Sequence, residues 1–416
     1  MILKRPLGVE LFTGGGGLAL GTSVAGFGHR LLVEYNRHAC QSIHANISTL
    51  GGPELHEGDV RDVDFSSFED TDLLAAGAPC QPFSIGGKHR AHRDERNLFP
   101  EVFRAIRQML PRAVVIENVK GLLREGLTEF VEYIELQLAY PMVAPSEPAD
   151  PEAWVSHLPR LRRARSREEG VEPSYRVTRV LLNAADFGVP QCRERVFFVA
   201  LRHDVEADWS PPAPTHSRAA LRLAQEVDGE YWRGHGLERK TTPNHALAGR
   251  WMRIAGKTKP WRTVRDALHG LPEPIAGAER EGWLNHVGQP GARSYPGHTG
   301  SPLDRPAKTL KAGVHGVPGG ENMLQYANGK VRYFTVREAA RLQTFPDSYA
   351  FSGAWGEAMR QIGNAVPVKL AEAVARSVRQ CLERSAQVAR SPVERSVERP
   401  GELLQGELAL TAPQTA

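Results

Sequence analysis

The residue of this chain best placed for chemistry is Cys80, in the segment Ala78-Pro79-Cys80-Gln81-Pro82-Phe83. The preceding apolar run, residues 72–77, predicts a short buried strand. The prolines on either side of the cysteine end that strand, because proline fixes φ and has no N–H to donate. The thiol is therefore expected where a strand gives way to a loop, the position at which α/β enzymes carry reactive groups. A buried structural cysteine is the alternative.

A carboxylate and an amide, Glu117 and Asn118, lie at the end of another predicted strand, residues 113–119. A carboxylate is not expected within a buried core strand, except at the carboxyl end of the strand, where such sheets place their binding sites. A solvated strand end is the alternative interpretation of Glu117.

The segment Gln191-Cys192-Arg193-Glu194-Arg195 lies between two more predicted strands, residues 175–182 and 195–201. Side chains two residues apart on an extended chain lie on the same face. We therefore expect the guanidinium groups of Arg193 and Arg195 to share a face.

The start of the chain is typical of a nucleotide-binding unit, since a predicted strand (9–12) is followed by a glycine turn (13–17) and a predicted helix (18–26). Glycines let backbone N–H groups approach a ligand without obstruction. The next predicted strand carries Glu34 about 20 residues after the glycines, where a carboxylate can accept bonds from ribose hydroxyls. Asp59 could likewise contact an adenine amino group. Because the glycine turn is not followed by G-K-[ST], the pattern favours an adenosine-containing ligand without phosphates.

The composition narrows the class of protein. Four scattered cysteines with no C-x-x-C pair indicate neither a disulfide framework nor a zinc site. No stretch approaches about 20 apolar residues, and the N-terminus lacks a signal-peptide pattern, so we expect a cytoplasmic protein with a free Cys80 thiol. A net charge of +4 permits a polyanionic partner without establishing one.

The alternation of predicted strands and helices predicts an α/β fold. Two stretches of the sequence interrupt this alternation. Residues 141–174 carry five arginines between Arg160 and Arg167 and are expected to be a mobile insertion, either touching phosphate or forming a solvated basic loop. The predicted division is residues 1–202, an irregular second domain at 203–300, a return to the first domain at 301–384, and a disordered tail at 385–416.

Taken together, these segments resemble the motifs of the C5-cytosine-specific DNA methyltransferase family, of bacterial restriction–modification type, in that family's order and over about residues 7–382. The matching segments are the turn at Phe12, the acids Glu34 and Asp59, Pro79-Cys80, Glu117-Asn118-Val119, Gln191-x-Arg193-x-Arg195, Arg305-Pro306 through Leu310, and Gly363-Asn364-Ala365-Val366-Pro367. A Pro-Cys pair occurs often by chance, whereas the ordered set does not.

The resemblance implies a Rossmann-like sheet with helices on both faces that binds S-adenosylmethionine, without a metal. It also implies that residues 203–300 form a target-recognition domain. The implied cofactor contacts are Phe12, Gly14, Gly16, Gly17, Leu18, Glu34, Asp59, Val60, Pro79, Asn364 and Val366. Arginine is the commonest reader of guanine in the major groove. The candidate readers are Arg233, Arg250, Arg253, Arg262 and Arg293.

The implied chemistry is covalent. Addition of the Cys80 thiolate to C6 of cytosine would make C5 nucleophilic, with Glu117 donating to N3 and Arg193 holding O2. Since C6 is out of reach inside a duplex, the base must be flipped out, and polar residues must hold the strand. The expected DNA contacts are Gln81, Ser84, Lys88, Arg90, Arg96, Gln191 and Arg195.

The implied partner is double-stranded DNA, with a cognate restriction endonuclease encoded nearby, no membrane and a monomeric enzyme. One alternative is an RNA (tRNA) cytosine-5 methyltransferase, although such relatives have little sequence equivalent to residues 203–300. Another is a catalytically inactive DNA-binding relative, which fits poorly with intact Cys80, Glu117 and Arg193. A zinc-dependent deaminase is excluded, because the Cys80 segment has no second cysteine and no H-x-E precedes it.

Overall fold

The computed structural model of the protein describes residues 5–79, 97–146, 153–167, 172–239, 242, 245–296, 298–312 and 322–388. Seven strands form the main sheet. They are β1 (Leu7–Leu11), β2 (Gly28–Glu34), β3 (Glu54–Glu57), β4 (Leu73–Ala76), β5 (Ala113–Val119), β6 (Tyr175–Asn183) and β7 (Glu194–Arg202). Their order is β3-β2-β1-β4-β5-β7-β6. The pairs from β3 to β5 are parallel, whereas β7 is antiparallel to both β5 and β6.

The central strands are buried on both faces, which explains their nearly continuous apolar sequence. Val9 and Leu11 of β1 belong to the core on one face of the sheet, whereas Leu73 and Ala75 of β4 belong to the core on the other. Helices cover both faces, so the predicted α/β class is confirmed.

Five helices accompany these strands. The first begins where the glycine turn ends, and the third begins at Phe99, after the segment that carries Cys80. The helices are α1 (Gly17–Val24), α2 (Arg37–Ala45), α3 (Phe99–Met109), α4 (Thr128–Ala139) and α5 (Ala153–Arg167). Within the described ranges, none of the helices in the protein combines the length and apolar composition needed to cross a membrane.

Helix α5 differs from the mobile insertion expected at residues 141–174. Leu158 and Leu161 are buried in the core beside α4, and Trp154 packs edge-on against Phe130. The Arg162 guanidinium is also within 2.6 Å of the Glu132 carboxylate. Periodic apolar residues among the arginines therefore fold this stretch into an anchored helix.

Short elements make up the region between residues 203 and 300. They are β8 (His216–Ser217), α6 (Arg218–Arg222), α7 (Glu230–Gly234), α8 (Ala248–Ala255), β9 (Lys259–Pro260), α9 (Val264–Leu268), β10 (Ile275–Ala276), β11 (Glu279–Arg280) and β12 (Trp283–Gly288). The chain then forms β13 (Ser301–Pro302), β14 (Met323–Gln325), β15 (Val331–Tyr333), α10 (Val336–Leu342), α11 (Trp355–Asn364) and α12 (Val368–Val388). The half from α9 to β12 packs on α10, since Arg337 donates to the Leu284 carbonyl at 3.0 Å. The half before it has small apolar cores of its own.

Candidate active site

The carboxyl ends of the parallel strands meet at one edge of the sheet, and a cavity of about 530 Å³ opens there. Antiparallel β7 starts at the same edge, which brings Arg195 to the ends of β4 and β5. Of the predicted site residues, the structure places these on the cavity wall: Phe12, Gly14, Leu18, Glu34, Asp59, Val60, Pro79, Glu117, Arg195, Asn364 and Val366.

One end of the cavity is built around the Glu34 carboxylate. The backbone N–H of Gly14 donates to one of its oxygens at 2.7 Å, and the N–H of Asn36 donates to the other at 2.7 Å. Burial raises the pKa of the Glu34 carboxyl, while these N–H donors act in the opposite direction. The glycine turn therefore fixes the orientation of the acid. Phe12, at the start of this turn, adopts a left-handed φ of 59°, a conformation that costs a non-glycine residue about 1–3 kcal/mol.

Two glycines of the turn, Gly16 and Gly17, are not on the cavity wall, and their contact with the cofactor stays a prediction. A Cβ on Gly16 would lie 2.2 Å from the Tyr349 hydroxyl, and a Cβ on Gly17 would lie 2.3 Å from the Val366 carbonyl oxygen. These glycines are needed because the C-terminal segment packs directly on the turn. The Tyr349 hydroxyl also donates to the Gly15 carbonyl at 3.0 Å.

The other end of the cavity holds an ion pair between Glu117 and Arg195, with 2.8 Å between Oε1 and Nε. Both side chains are about nine-tenths buried. Burial raises the pKa of the Glu117 carboxyl, while the nearby guanidinium groups of Arg195 and Arg193 oppose that rise. Asn118 donates to the Ala78 carbonyl at 3.2 Å and so ties the end of β5 to the segment leading to Cys80.

Arg193 is not at the cavity, which corrects its predicted role. It is 1% exposed and donates to the carbonyls of Leu310 (2.9 Å), Gly363 (2.7 Å) and Ala365 (3.1 Å). The reason is that β7 begins only at Glu194, so Arg193 and Arg195 are not on one extended strand. The arginine beside Glu117 is Arg195.

Gln191 is likewise buried, with 0% exposure, so its prediction as a DNA contact is wrong. Its amide donates to the Leu342 carbonyl at 3.3 Å and accepts from the Leu310 N–H at 3.0 Å. Gln191 itself forms a parallel bridge with Ala307. The segment before β7 therefore joins the C-terminal part of the chain to the sheet.

Cys80 and most of the predicted DNA contacts, namely Gln81, Ser84, Lys88, Arg90 and Arg96, lie outside the described residues. Pro79, directly before residues 80–96, and Leu98, two residues after them, both line the cavity. The chain is therefore at the cavity wall just before Cys80 and again at Leu98.

The side chains on the cavity wall that the sequence interpretation did not name as site residues include Tyr35 and Arg360. Tyr35 is 74% exposed, an unusual state for a large aromatic residue. Its position directly after Glu34 was an available signal. Arg360 lies one helical turn before Asn364, and its charge acts on the Glu34 carboxyl.

The chain matches the model of the family described as C-5 cytosine-specific DNA methylase over residues 8–139 and 167–380. It is 32% identical to the Type II methyltransferase M.Eco47II of Escherichia coli, covering 90% of this chain and 79% of the relative. It is 30% identical to the Type II methyltransferase M.NgoMIV of Neisseria gonorrhoeae, covering 90% and 98%.

Solved structures show the same fold. A DNA modification methyltransferase encoded within an E. coli prophage superposes with a TM-score of 0.57 at 21% identity, covering 91% of this chain and 99% of the other. The Dnmt2 methyltransferase of S. pombe gives a TM-score of 0.52 at 17% identity, with the same coverage.

Proposed function

This chain belongs to the C-5 cytosine-specific DNA methylase family, and we propose that its cavity methylates C5 of a flipped-out cytosine within a specific double-stranded DNA sequence. It is a DNA cytosine-5 methyltransferase, as the sequence predicted, and the family favours DNA over the RNA alternative. The observation that carries the proposal is one cavity with Glu34 at one end and the Glu117–Arg195 pair beside Pro79 at the other.

The cavity suits S-adenosylmethionine, which when bound supplies an electrophilic methyl group. Glu34, held by two backbone N–H donors, has carboxylate oxygens suited to ribose hydroxyls. Tyr35, Phe12 and Val60 offer apolar surface for an adenine ring, and Asp59 offers an acceptor for its amino group. We expect Pro79, Asn364 and Val366 to contact the same ligand.

Cys80 is the proposed nucleophile. Its thiolate bonds to C6 of the cytosine, so that C5 gains the electron density to take the methyl group. Glu117 carries the proton donated to N3, a role favoured by the burial that raises its pKa. Arg195, in place of Arg193, donates to O2. A water takes the C5 proton, the Cys80–C6 bond breaks, the thiolate is restored, and N3 returns its proton to Glu117.

The wider setting is part of the proposal. Gln81, Ser84, Lys88, Arg90 and Arg96 are expected to hold the DNA strand from which the base is flipped, since extrusion of a base costs a few kcal/mol. We expect a cytoplasmic monomer whose methylation protects DNA from a cognate restriction endonuclease encoded nearby.

The test is expression in a host that lacks cytosine methylation, followed by bisulfite sequencing of its DNA. The wild type should mark one recurring sequence, and Cys80→Ser should mark none. The wild type should also form a gel-stable adduct with duplex containing 5-fluorocytosine. An adduct that persists in Cys80→Ser would remove Cys80 from the mechanism.

A further inference from the structure

We propose that helix α8 enters the major groove and that Arg250 and Arg253 are specificity-determining residues which contact base edges of the recognised sequence. The inference rests on the proposed function, because it assigns the reading of the target to one helix of that enzyme. It concerns the two of the five candidate arginines that lie on α8.

The first observation is charge. Residues 245–265 include six arginines or lysines and neither aspartate nor glutamate. These cations are Arg250, Arg253, Lys257, Lys259, Arg262 and Arg265. Arg262 and Arg265 lie beside the carboxylates of Asp266 and Asp304, so the uncompensated positive charge of the segment comes from the other four cations. Such a surplus of positive charge favours a polyanionic partner. Helix α5, by contrast, faces the acidic residues of α4.

The second observation is the orientation of α8. Trp251 and Ala255 pack on Ala219 and Ala220 of α6, so they define the inner face of the helix. At about 100° per residue, Arg253 lies opposite the inner face, with Arg250 next to it, and Met252 and Ile254 lie on the two flanks. All four are exposed, Ile254 by 57% and Met252 by 54%. Exposed apolar side chains beside two arginines are typical of a surface that binds a partner.

The third observation is the availability of these arginines. Within the part of the chain that the structure describes, neither Arg250 nor Arg253 forms an ion pair, and Arg250 is only stacked near the Trp251 ring at 5.3 Å. Two of the other candidates are engaged. Arg233 donates to the Asp228 carbonyl at 2.8 Å, and Arg262 lies 3.8 Å from the Asp266 carboxylate.

The fourth observation is how the segment that contains α8 is attached to the main sheet. The Trp261 indole donates to the Asp186 carboxylate at 2.9 Å, and the Thr215 N–H donates to the Asp186 carbonyl at 2.9 Å. Asp186 lies in the turn that leads from β6 towards β7. Since β6 and β5 are both antiparallel to β7, β6 ends at the same sheet edge as Glu117. Thr215 and Trp261, which precede and follow the segment that contains α8, are therefore both attached to the edge that carries the active site.

The chemistry of the outer face matches base recognition. The major groove admits an α-helix, an arginine can donate two bonds to guanine, and apolar side chains contact the thymine methyl group. Arg250 and Arg253 supply the first kind of contact. Ile254 and Met252 supply the second.

The test uses full-length Arg250→Gln and Arg253→Gln, with Arg163→Gln on the exposed face of α5 as the matched control. Methylation maps of a host lacking cytosine methylation are compared after bisulfite conversion. Each α8 variant should accept a wrong base pair at one position of the site, with a loss of discrimination of roughly 10- to 100-fold there. Arg163→Gln should mark the wild-type sequence at the wild-type rate.

Several results would overturn the inference. One is an unchanged site in both α8 variants. Another is weaker methylation spread evenly over all sequences, with the slope of binding against salt reduced by about one per arginine, which is the signature of phosphate contacts. A relaxed site in Arg163→Gln would move the reading to α5. A wild type that marks no cytosine would instead defeat the proposed function. Midpoints of thermal unfolding equal to that of the wild type would exclude misfolding of the variants. The substituted residues are exposed, so their replacement should disturb the fold little.

Discussion

The two ends of the cavity each hold a buried glutamate, and the two acids are held by different kinds of partner. Glu34 accepts from the backbone N–H groups of Gly14 and Asn36, which are fixed by the turn and the sheet. Glu117 has a side-chain partner, the guanidinium of Arg195. Burial raises the pKa of both carboxyls.

The difference fits the roles proposed for the two acids, Glu34 as the acid that binds the cofactor and Glu117 as the acid that reacts. Backbone donors stay in place and favour the ionised form, which is what an acceptor for ribose hydroxyls needs. A guanidinium can turn from the acid to the O2 atom of a base, and Glu117 would then lose its main counter-charge while still buried. Its pKa would rise further as the base arrives, which places the proton where N3 requires it.

The largest expected effect is therefore on Glu117. Glu117→Gln keeps the shape of the side chain but cannot transfer a proton, so kcat should fall by about 10²- to 10⁴-fold. The affinity for S-adenosylmethionine should stay at the wild-type value. Single-turnover methylation checks the rate, and calorimetry of cofactor binding checks the affinity. Glu34→Gln, the same change at the other end of the cavity, is the matched comparison. A kcat within threefold of wild type would contradict the proton-donor role.

A second comparison concerns Arg193 and Arg195, two residues apart in sequence. Arg193→Lys removes the planar fork that serves three buried carbonyls, and we expect the free energy of unfolding to fall by about 2–4 kcal/mol. Arg195→Lys keeps a positive charge beside Glu117, so it should lower stability less than Arg193→Lys does and should lower kcat instead. Urea unfolding and methylation rates separate the two, and the opposite pattern would restore Arg193 to the base site.

That pair also shows how far the sequence could predict the site. The order of the motifs was enough to bring Phe12, Glu34 and Glu117 to one sheet edge, because parallel strands end together. It could not tell which of the two arginines faces the acid. That depends on where β7 starts, and its start is set by the pairing of the preceding segment with Ala307, a contact distant in sequence.

Long-range packing explains the other differences as well. Gly16 and Gly17 fit the pattern of a ligand-binding turn, yet they are required by Tyr349 and Val366 from the far end of the chain. Helix α5 has apolar residues among its arginines, but only its docking on α4 distinguishes an anchored helix from a solvated loop. The sheet was predictable because its signal is local, namely short apolar runs separated by turn residues.

The smallest expected effect is at the Glu34 end. Glu34→Gln replaces a charge-assisted bond by a neutral one, so the affinity for S-adenosylmethionine should weaken by about 0.5–2 kcal/mol, the difference between the two kinds of bond, with kcat unchanged once the cofactor is saturating. Because binding needs the ionised acid, wild-type affinity should be present above the pKa of Glu34 and decline as the pH falls through it. Burial places that pKa above its ordinary 4.5, so the decline should begin at a higher pH than for an exposed glutamate. Affinity in Glu34→Gln should not follow this pH dependence. Calorimetry across the range checks both slopes, and an affinity that is unchanged by the substitution would move the ribose contact to another residue of the cavity.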